Sequence, residues 1–144
     1  MDATFHHIAI SVRDMASMVR FYRDLLGFTV DWDMDHRGGE GLSTVVGMPQ
    51  AEAHMVMLEG FGMRIELFHY YEPRGGASPA SRQCDFGLTH FALQVRGIHE
   101  IYERLVVAGV RFNCPPENLR PGVWATYMQD PEDNTVELVQ YGDS

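Results

Sequence analysis

No apolar run in this chain approaches the roughly 18 residues needed to cross a bilayer. The opening MDATFHHIAI has neither the basic start nor the apolar core of a signal peptide. No membrane association is therefore expected, and the expected location is the cytoplasm. Cysteine is scarce: Cys84 and Cys114 are the only two, they lack a CxxC spacing, and they sit in Pro- and Gly-rich connecting segments. Free thiols in a reducing compartment are the expectation, and neither thiol is given a role. Positive charge is short as well, with 11 Lys+Arg against 20 Asp+Glu for a net charge of -9. Such a balance repels phosphate backbones and acidic lipid surfaces, which argues against nucleic acid as a partner and is compatible with a metal cation. With 144 residues and 45% hydrophobic content, the chain has the size of one domain, or of two small modules sharing a core.

What the chain does contain is a repeated strand. Arg64-Ile65-Glu66-Leu67-Phe68-His69-Tyr70 returns as Thr135-Val136-Glu137-Leu138-Val139-Gln140-Tyr141, each copy holding a lone carboxylate in an apolar, β-branched and aromatic run. Period-2 alternation turns Glu66 and Phe68 to one face and Ile65 and Leu67 to the other. Around this strand the first half reads as βαβββ. Phe5 to Val12 alternates as a half-buried strand. A helix follows, with Asp14 as N-cap, Met15, Met18, Val19, Tyr22 and Leu25 or Leu26 at helical spacing, and Gly27 as a left-handed cap. Phe28 to Asp33 reads as a strand, Asp35 to Gly41 as a break and Leu42 to Met48 as a short helix. Strands at Ala53 to Leu58 and Met63 to Tyr70 are joined by a turn at Glu59 to Gly62. Residues 72 to 87 (EPRGGASPASRQCDFG) carry no periodicity and read as a linker.

The pattern then restarts. Leu88 to Val95 alternates, and Ile98, Ile101, Tyr102, Leu105 and Val106 form an amphipathic helix ending at Gly109. A strand at Val110 to Asn113, a Pro-rich loop from Cys114 to Gly122, and strands at Val123 to Gln129 and from Thr135 complete the copy. Asp130 to Asn134 supplies the last turn. The organisation expected is therefore an α+β fold spanning 1–144, with βαβββ modules at 5–71 and 88–141 and a linker at 72–87.

Superposing the copies sets His7-Ile8-Ala9-Ile10-Ser11-Val12 on His90-Phe91-Ala92-Leu93-Gln94-Val95. The first and last strands of each copy thus contribute one imidazole and one carboxylate to the face that the helices leave uncovered. His7, Glu66, His90 and Glu137 suit a divalent ion of borderline softness, such as Ni, Co, Zn, Mn or Fe: imidazole supplies nitrogen, and carboxylates supply oxygen and cancel charge. A lone strand His is more often a packing residue, and a lone strand Glu is usually solvated. Duplication favours ligation, because packing does not require the same two polar types at corresponding strands. His6 and His69 fall on the opposite parity. His36, His54 and His99 have no repeat partners and read as solvated surface. Trp32, Met55, Met57, Phe68, Trp124 and Tyr127 read mainly as core, with cavity lining as the alternative.

The segments HIAISVRDM, FYRDLLGF, IELFHY, THFALQV and DPEDNTVELV resemble the vicinal oxygen chelate superfamily, which includes glyoxalase I, methylmalonyl-CoA epimerase, extradiol dioxygenases and the fosfomycin and bleomycin resistance proteins. The resemblance covers nearly the whole chain. It implies paired βαβββ modules forming a cupped mixed sheet around one metal ion, often within or across a homodimer, with His7, Glu66, His90 and Glu137 as ligands. Extradiol dioxygenases and fosfomycin enzymes leave the place of Glu66 without a ligand, and the epimerases commonly carry Gln there, so two His and two Glu match the glyoxalase I pattern best. There is no basic cluster suited to the glutathione carboxylates, and small cyclitol epimerases are similar too.

The activity this implies is proton transfer next to a carbonyl, through a metal-chelated enediolate, on a small substrate with vicinal oxygens. The reaction would be that of an isomerase, epimerase or lyase. Glu66 and Glu137 are the candidate proton carriers; the resemblance favours Glu137, since the epimerases tolerate Gln at the other place. Alternatives are an Fe(II)-dependent extradiol-type dioxygenase and a metal-free drug-binding protein. Substrate selection is expected at Leu42 to Met48, at Cys114 to Val123 with Arg120, and near Arg74.

Overall fold

Alternating apolar residues give the first half its strands: β1 (Ile8–Ser11), β2 (Thr29–Gly38), β3 (Glu52–Gly60) and β4 (Met63–Glu72), in the sheet order β1-β4-β3-β2. These come from a computed structural model that describes every residue except 78, 80, 81, 143 and 144. The chain divides into two compact units, Met1–Ser78 and Pro79–Ser144. In the first, β1 runs parallel to β4, setting Ala9 beside Glu66, and β3 runs antiparallel to both β4 and β2. Val56, Leu58, Ile65 and Leu67 are buried, each worth roughly 1.5–3 kcal/mol relative to exposure.

α1 (Met15–Val19) begins at Asp14, whose carboxylate accepts a hydrogen bond from the Ser17 amide at 3.1 Å, and it packs against β4. Beyond it the structure departs from the expected α-helix. Arg20–Leu26 is a π-helix ending at Gly27 with φ +95°. Its wider turn lets the consecutive Phe21 and Tyr22 both be buried alongside Met15 and Met18, while Leu25 and Leu26 stay partly exposed.

β2 is longer than the sequence pattern suggests. It continues through Asp33, His36 and Arg37 to Gly38, with register shifts between Val30/Trp32 and Met34/Arg37 that keep this polar segment paired to β3. The short helix α2 lies at Glu40–Val46, two positions before its expected place. Gly60 is required where β3 ends, because a Cβ there would come within 2.9 Å of the Phe28 ring.

The second unit contains β5 (His90–Gln94), α3 (Ile98–Val107), β6 (Arg111–Phe112), β7 (Glu117–Arg120), β8 (Val123–Gln129) and β9 (Thr135–Tyr141). The sheet order is β5-β9-β8-β6, with β7 added against β8. β5 runs parallel to β9, as β1 does to β4. Leu93, Leu105, Met128, Val136 and Leu138 are buried. β7 corrects the reading of Cys114 to Gly122 as loop. α3 has no side chain at its own N-cap, Gly97; instead the buried Gln140 on β9 accepts the Ile98 amide hydrogen at 3.0 Å. At the last turn the Asp130 carboxylate accepts from the amides of Glu132 and Asn134 and from the Asn134 side chain.

A βαβββ order thus underlies both units, with α2 added in the first and β7 in the second, in two mixed sheets, which is the α+β class that the repeat implied. Among the described residues, no helix is long and apolar enough to cross a membrane.

Candidate metal centre

Glu66 occupies the middle of β4, between buried Ile65 and Leu67, and is itself only 8% exposed. Burial raises its carboxyl above the ordinary range, with His7 and His6 opposing the shift. His7, just before β1, brings Nε2 to 3.0 Å from Glu66 Oε2. In the second unit His90 opens β5 and Glu137 lies inside β9, with His90 Nε2 3.3 Å from Glu137 Oε2. Each unit therefore brings its own imidazole and carboxylate together, as the duplicated strands implied. Among the described residues, no group of three or more His, Cys, Asp or Glu side chains is close enough to hold an ion.

The donor chemistry of each pair fits a divalent ion. Two donors at right angles on one ion, each about 2.1 Å from it, lie about 3.0 Å apart, close to the separations found here. A carboxylate held in an apolar strand also needs a cation to offset its desolvation. Within each unit the residues that would hold such an ion are His7 and Glu66, and His90 and Glu137.

The surroundings of the two imidazoles differ. His6 Nδ1 lies 2.7 Å from His7 Nδ1, and Arg64 Nη1 lies 3.4 Å from His6 Nε2. Guanidinium can only donate, so His6 accepts at Nε2 and donates from Nδ1; His7 then accepts at Nδ1 and donates from Nε2 to Glu66. At His90, Nδ1 faces Gln83 Oε1 at 3.1 Å and Thr89 Oγ1 at 3.0 Å, while the Tyr127 hydroxyl lies 3.5 Å from Nε2. The Tyr127 ring also sits against the His90 ring, with centroids 4.8 Å apart.

Across the strands, Tyr127 is the register partner of Glu137, whereas Met57 holds that place opposite Glu66. Burial and the charge of Glu137 raise the Tyr127 phenol, and burial and Glu66 do the same to Tyr70. Phe68 stacks on Tyr70 with centroids 5.4 Å apart.

Other histidines follow the parity argument in part. His69 Nδ1 donates to the Val12 carbonyl at 3.1 Å, a packing role. His54 and His36 are not bare surface: His54 pairs with Asp33 at 2.7 Å, and His36 pairs with Glu52 at 2.5 Å while stacking on Tyr71. His99 packs edge-on to Trp124. An open cleft of about 420 Å³ between α2 and the start of β3 is lined by Ser43, Gln50 and Glu52 among others. Gln83 and the placement of Tyr127 beside the pair were not anticipated; Gln83 had no signal, being one polar residue in an aperiodic linker.

Comparison with known proteins agrees with this architecture. No curated protein matches the sequence significantly. Among solved structures, a glyoxalase family protein from Bacillus cereus is similar with TM-score 0.87 at 18% identity, covering 96% of this chain and 94% of that one. One from Enterococcus faecalis gives 0.69 at 21% identity, covering 94% and 96%. The trypanothione-dependent glyoxalase I of Leishmania major gives 0.68 at 20% identity, covering 96% and 87%. These likenesses speak to the fold. Residues 4–138 match the model of a family whose members commonly bind a divalent metal, and the chain therefore belongs to the Glyoxalase/Bleomycin resistance protein/Dioxygenase superfamily.

Proposed function

We propose that this protein is a metal-dependent isomerase, epimerase or lyase of the glyoxalase I type, acting on a small substrate with vicinal oxygens by moving a proton next to a carbonyl. The observation that carries this reading is the presence of a carboxylate in both units, each paired with an imidazole nitrogen, at 3.0 and 3.3 Å. Glu66 is the deciding residue, since a ring-cleaving oxygenase would keep its place free of ligand. His7, Glu66, His90 and Glu137 would hold one ion of Ni, Co, Zn, Mn or Fe. When bound, that ion supplies a Lewis acid that stabilises negative charge developing on substrate oxygens.

The proton itself is the work of the protein. A glutamate that acts as base needs a hydrogen-bond partner of its own. Tyr127 stands opposite Glu137 and can donate, whereas Met57 stands opposite Glu66 and cannot. Glu137 is therefore assigned the proton transfer at its Oε atoms, and Glu66 the holding role. In the first unit the substrate would lie against Phe68 and Tyr70, and in the second against Tyr127, the aromatic neighbours of the respective carboxylates.

The protein would work as a homodimer in the cytoplasm. Exposed Phe5, Phe86, Leu88 and Val107 support the first, and the free thiols Cys84 and Cys114 support the second.

Solvent deuterium exchange into trial hydroxy-ketones and hemithioacetals, followed by NMR on metal-replete protein, tests the activity. Exchange at the carbon beside the carbonyl is expected. Oxygen consumption with catechols, or tight binding of an aromatic ligand without any turnover, would overturn it in favour of the dioxygenase or the drug-binding protein.

A further inference from the structure

The linker residue Gln83 spans the opening rungs of β5 and β9. Its Nε2 donates to Thr135 Oγ1 at 3.1 Å, and its Oε1 lies 3.1 Å from His90 Nδ1. Thr135 is the residue paired with His90 in the parallel ladder, so the amide bridges two neighbouring positions of one sheet end. With the NH₂ group committed to Thr135, the carbonyl oxygen is what faces the imidazole, and a carbonyl only accepts. In this orientation of the amide His90 carries its proton on Nδ1. On the other nitrogen the contacts pull in opposite directions: the Tyr127 hydroxyl, 3.5 Å away, can donate to an unprotonated Nε2, whereas Glu137 Oε2, 3.3 Å away, only accepts and draws the proton to Nε2, so Gln83 is the group that opposes Glu137.

We propose that Gln83 is a positioning residue that fixes His90 in its Nδ1–H tautomer and so presents the Nε2 lone pair to a metal ion. The proposal rests on reading His90 as a metal ligand. Ligating imidazoles gain both orientation and basicity from an acceptor on the distal nitrogen, and loss of such partners weakens metal affinity by about 10- to 100-fold. Thr89 cannot replace Gln83. Its hydroxyl, 3.0 Å from Nδ1, both donates and accepts and so suits either tautomer; without Gln83 the Glu137 carboxylate, which only accepts and lies 3.3 Å from Nε2, decides, and Thr89 turns to donate into Nδ1. That would move the imidazole proton to Nε2, toward Glu137, and block the ligating lone pair.

The first unit has no equivalent: His7 faces the His6–Arg64 chain, which places its proton on Nε2, so His7 would have to give that proton up to ligate through Nε2. His7 is thus an internal control.

The test is ¹⁵N–¹H correlation NMR of the histidine rings in metal-free protein at a pH where they are neutral, for wild type, Gln83→Leu and Gln83→Glu. Gln83 is exposed, and thermal melting checks that each variant folds. Wild type is expected to show His90 as Nδ1–H, Gln83→Leu as Nε2–H, and Gln83→Glu, which keeps an acceptor, as Nδ1–H, with His7 unchanged throughout. Equilibrium dialysis with Ni²⁺ or Zn²⁺ should then show Gln83→Leu weakened by about 10- to 100-fold and Gln83→Glu near wild type. An Nε2–H His90 in wild type, or the same tautomer and affinity in wild type and Gln83→Leu, overturns the role of Gln83. Wild type that takes up no metal while the tautomer switches with Gln83→Leu overturns the metal reading and leaves the tautomer control standing.

Discussion

The two units solve the same problem with different surroundings. Both place an imidazole at the start of the first strand and a carboxylate in the last, about 3 Å apart. In the first unit the carboxylate is closed in: Glu66 is buried, faces Met57 across the ladder, and its imidazole is linked outward through His6 to Arg64. In the second, Glu137 faces Tyr127, and its imidazole is held from behind by Gln83. A duplicated pair therefore need not mean duplicated roles. The closed half is suited to holding a charge in place, and the half with a hydroxyl opposite its carboxylate is suited to releasing and retaking one.

The largest effect that would break this comparison is on turnover. Glu137→Gln is expected to take up metal through its amide oxygen yet lose activity by about 100- to 10,000-fold, the usual worth of a positioned base. Glu66→Gln is expected to weaken metal binding, with most activity restored at saturating metal. Deuterium exchange on metal-replete variants reads both; a Glu137→Gln protein exchanging at the wild-type rate while Glu66→Gln does not would reverse the assignment.

A second contrast lies in how the helices begin. α1 is capped locally by Asp14, whereas α3 relies on Gln140, 42 positions away on β9. Asp14→Ala should cost about 1 kcal/mol, the loss of an exposed cap. Gln140→Leu leaves the buried Ile98 amide unpartnered and should cost about 1–3 kcal/mol. Denaturant unfolding of both variants sharpens the comparison, and a larger loss for Asp14→Ala would contradict it.

Much of this was legible in the residues because period-2 alternation recurs with the same polar types in it. The strands at Val123–Gln129 and from Thr135, the Asp14 and Gly27 caps, and the pairing of His7 with Glu66 and His90 with Glu137 all follow from that. β7 was hidden because Glu117-Asn118-Leu119-Arg120 is exposed throughout and follows two prolines, so burial imposes no alternation on it. The far end of β2 was hidden because bulges shift the parity that a regular strand would show. Gln83 and Gln140 act through partners that only the folded sheets bring near.

The smallest effect belongs to the His36–Glu52 pair, which has no equivalent in the described residues of the second unit. Hydrogen bonding to Glu52 raises the His36 imidazole above 6.5. A raised histidine stabilises the fold below its unfolded value, and the contribution is lost as pH rises through the folded one. His36→Gln should therefore melt slightly below wild type in mildly acidic buffer and level with it in alkaline buffer. The same gap at both, read by thermal melting, would show that stacking on Tyr71 matters instead.

The most direct test of the central proposal, one divalent ion held by His7, Glu66, His90 and Glu137, is metal content with melting temperature on protein purified without chelator. One equivalent per chain is expected. Removing the metal should lower the melting temperature by several degrees and adding back Ni, Co, Mn, Zn or Fe(II) should restore it, because binding at about 100 times Kd adds about 2.7 kcal/mol. Less than about a tenth of an equivalent, with no rise in melting temperature on adding any of these ions, would contradict the account, since a ligand of the folded state must raise it.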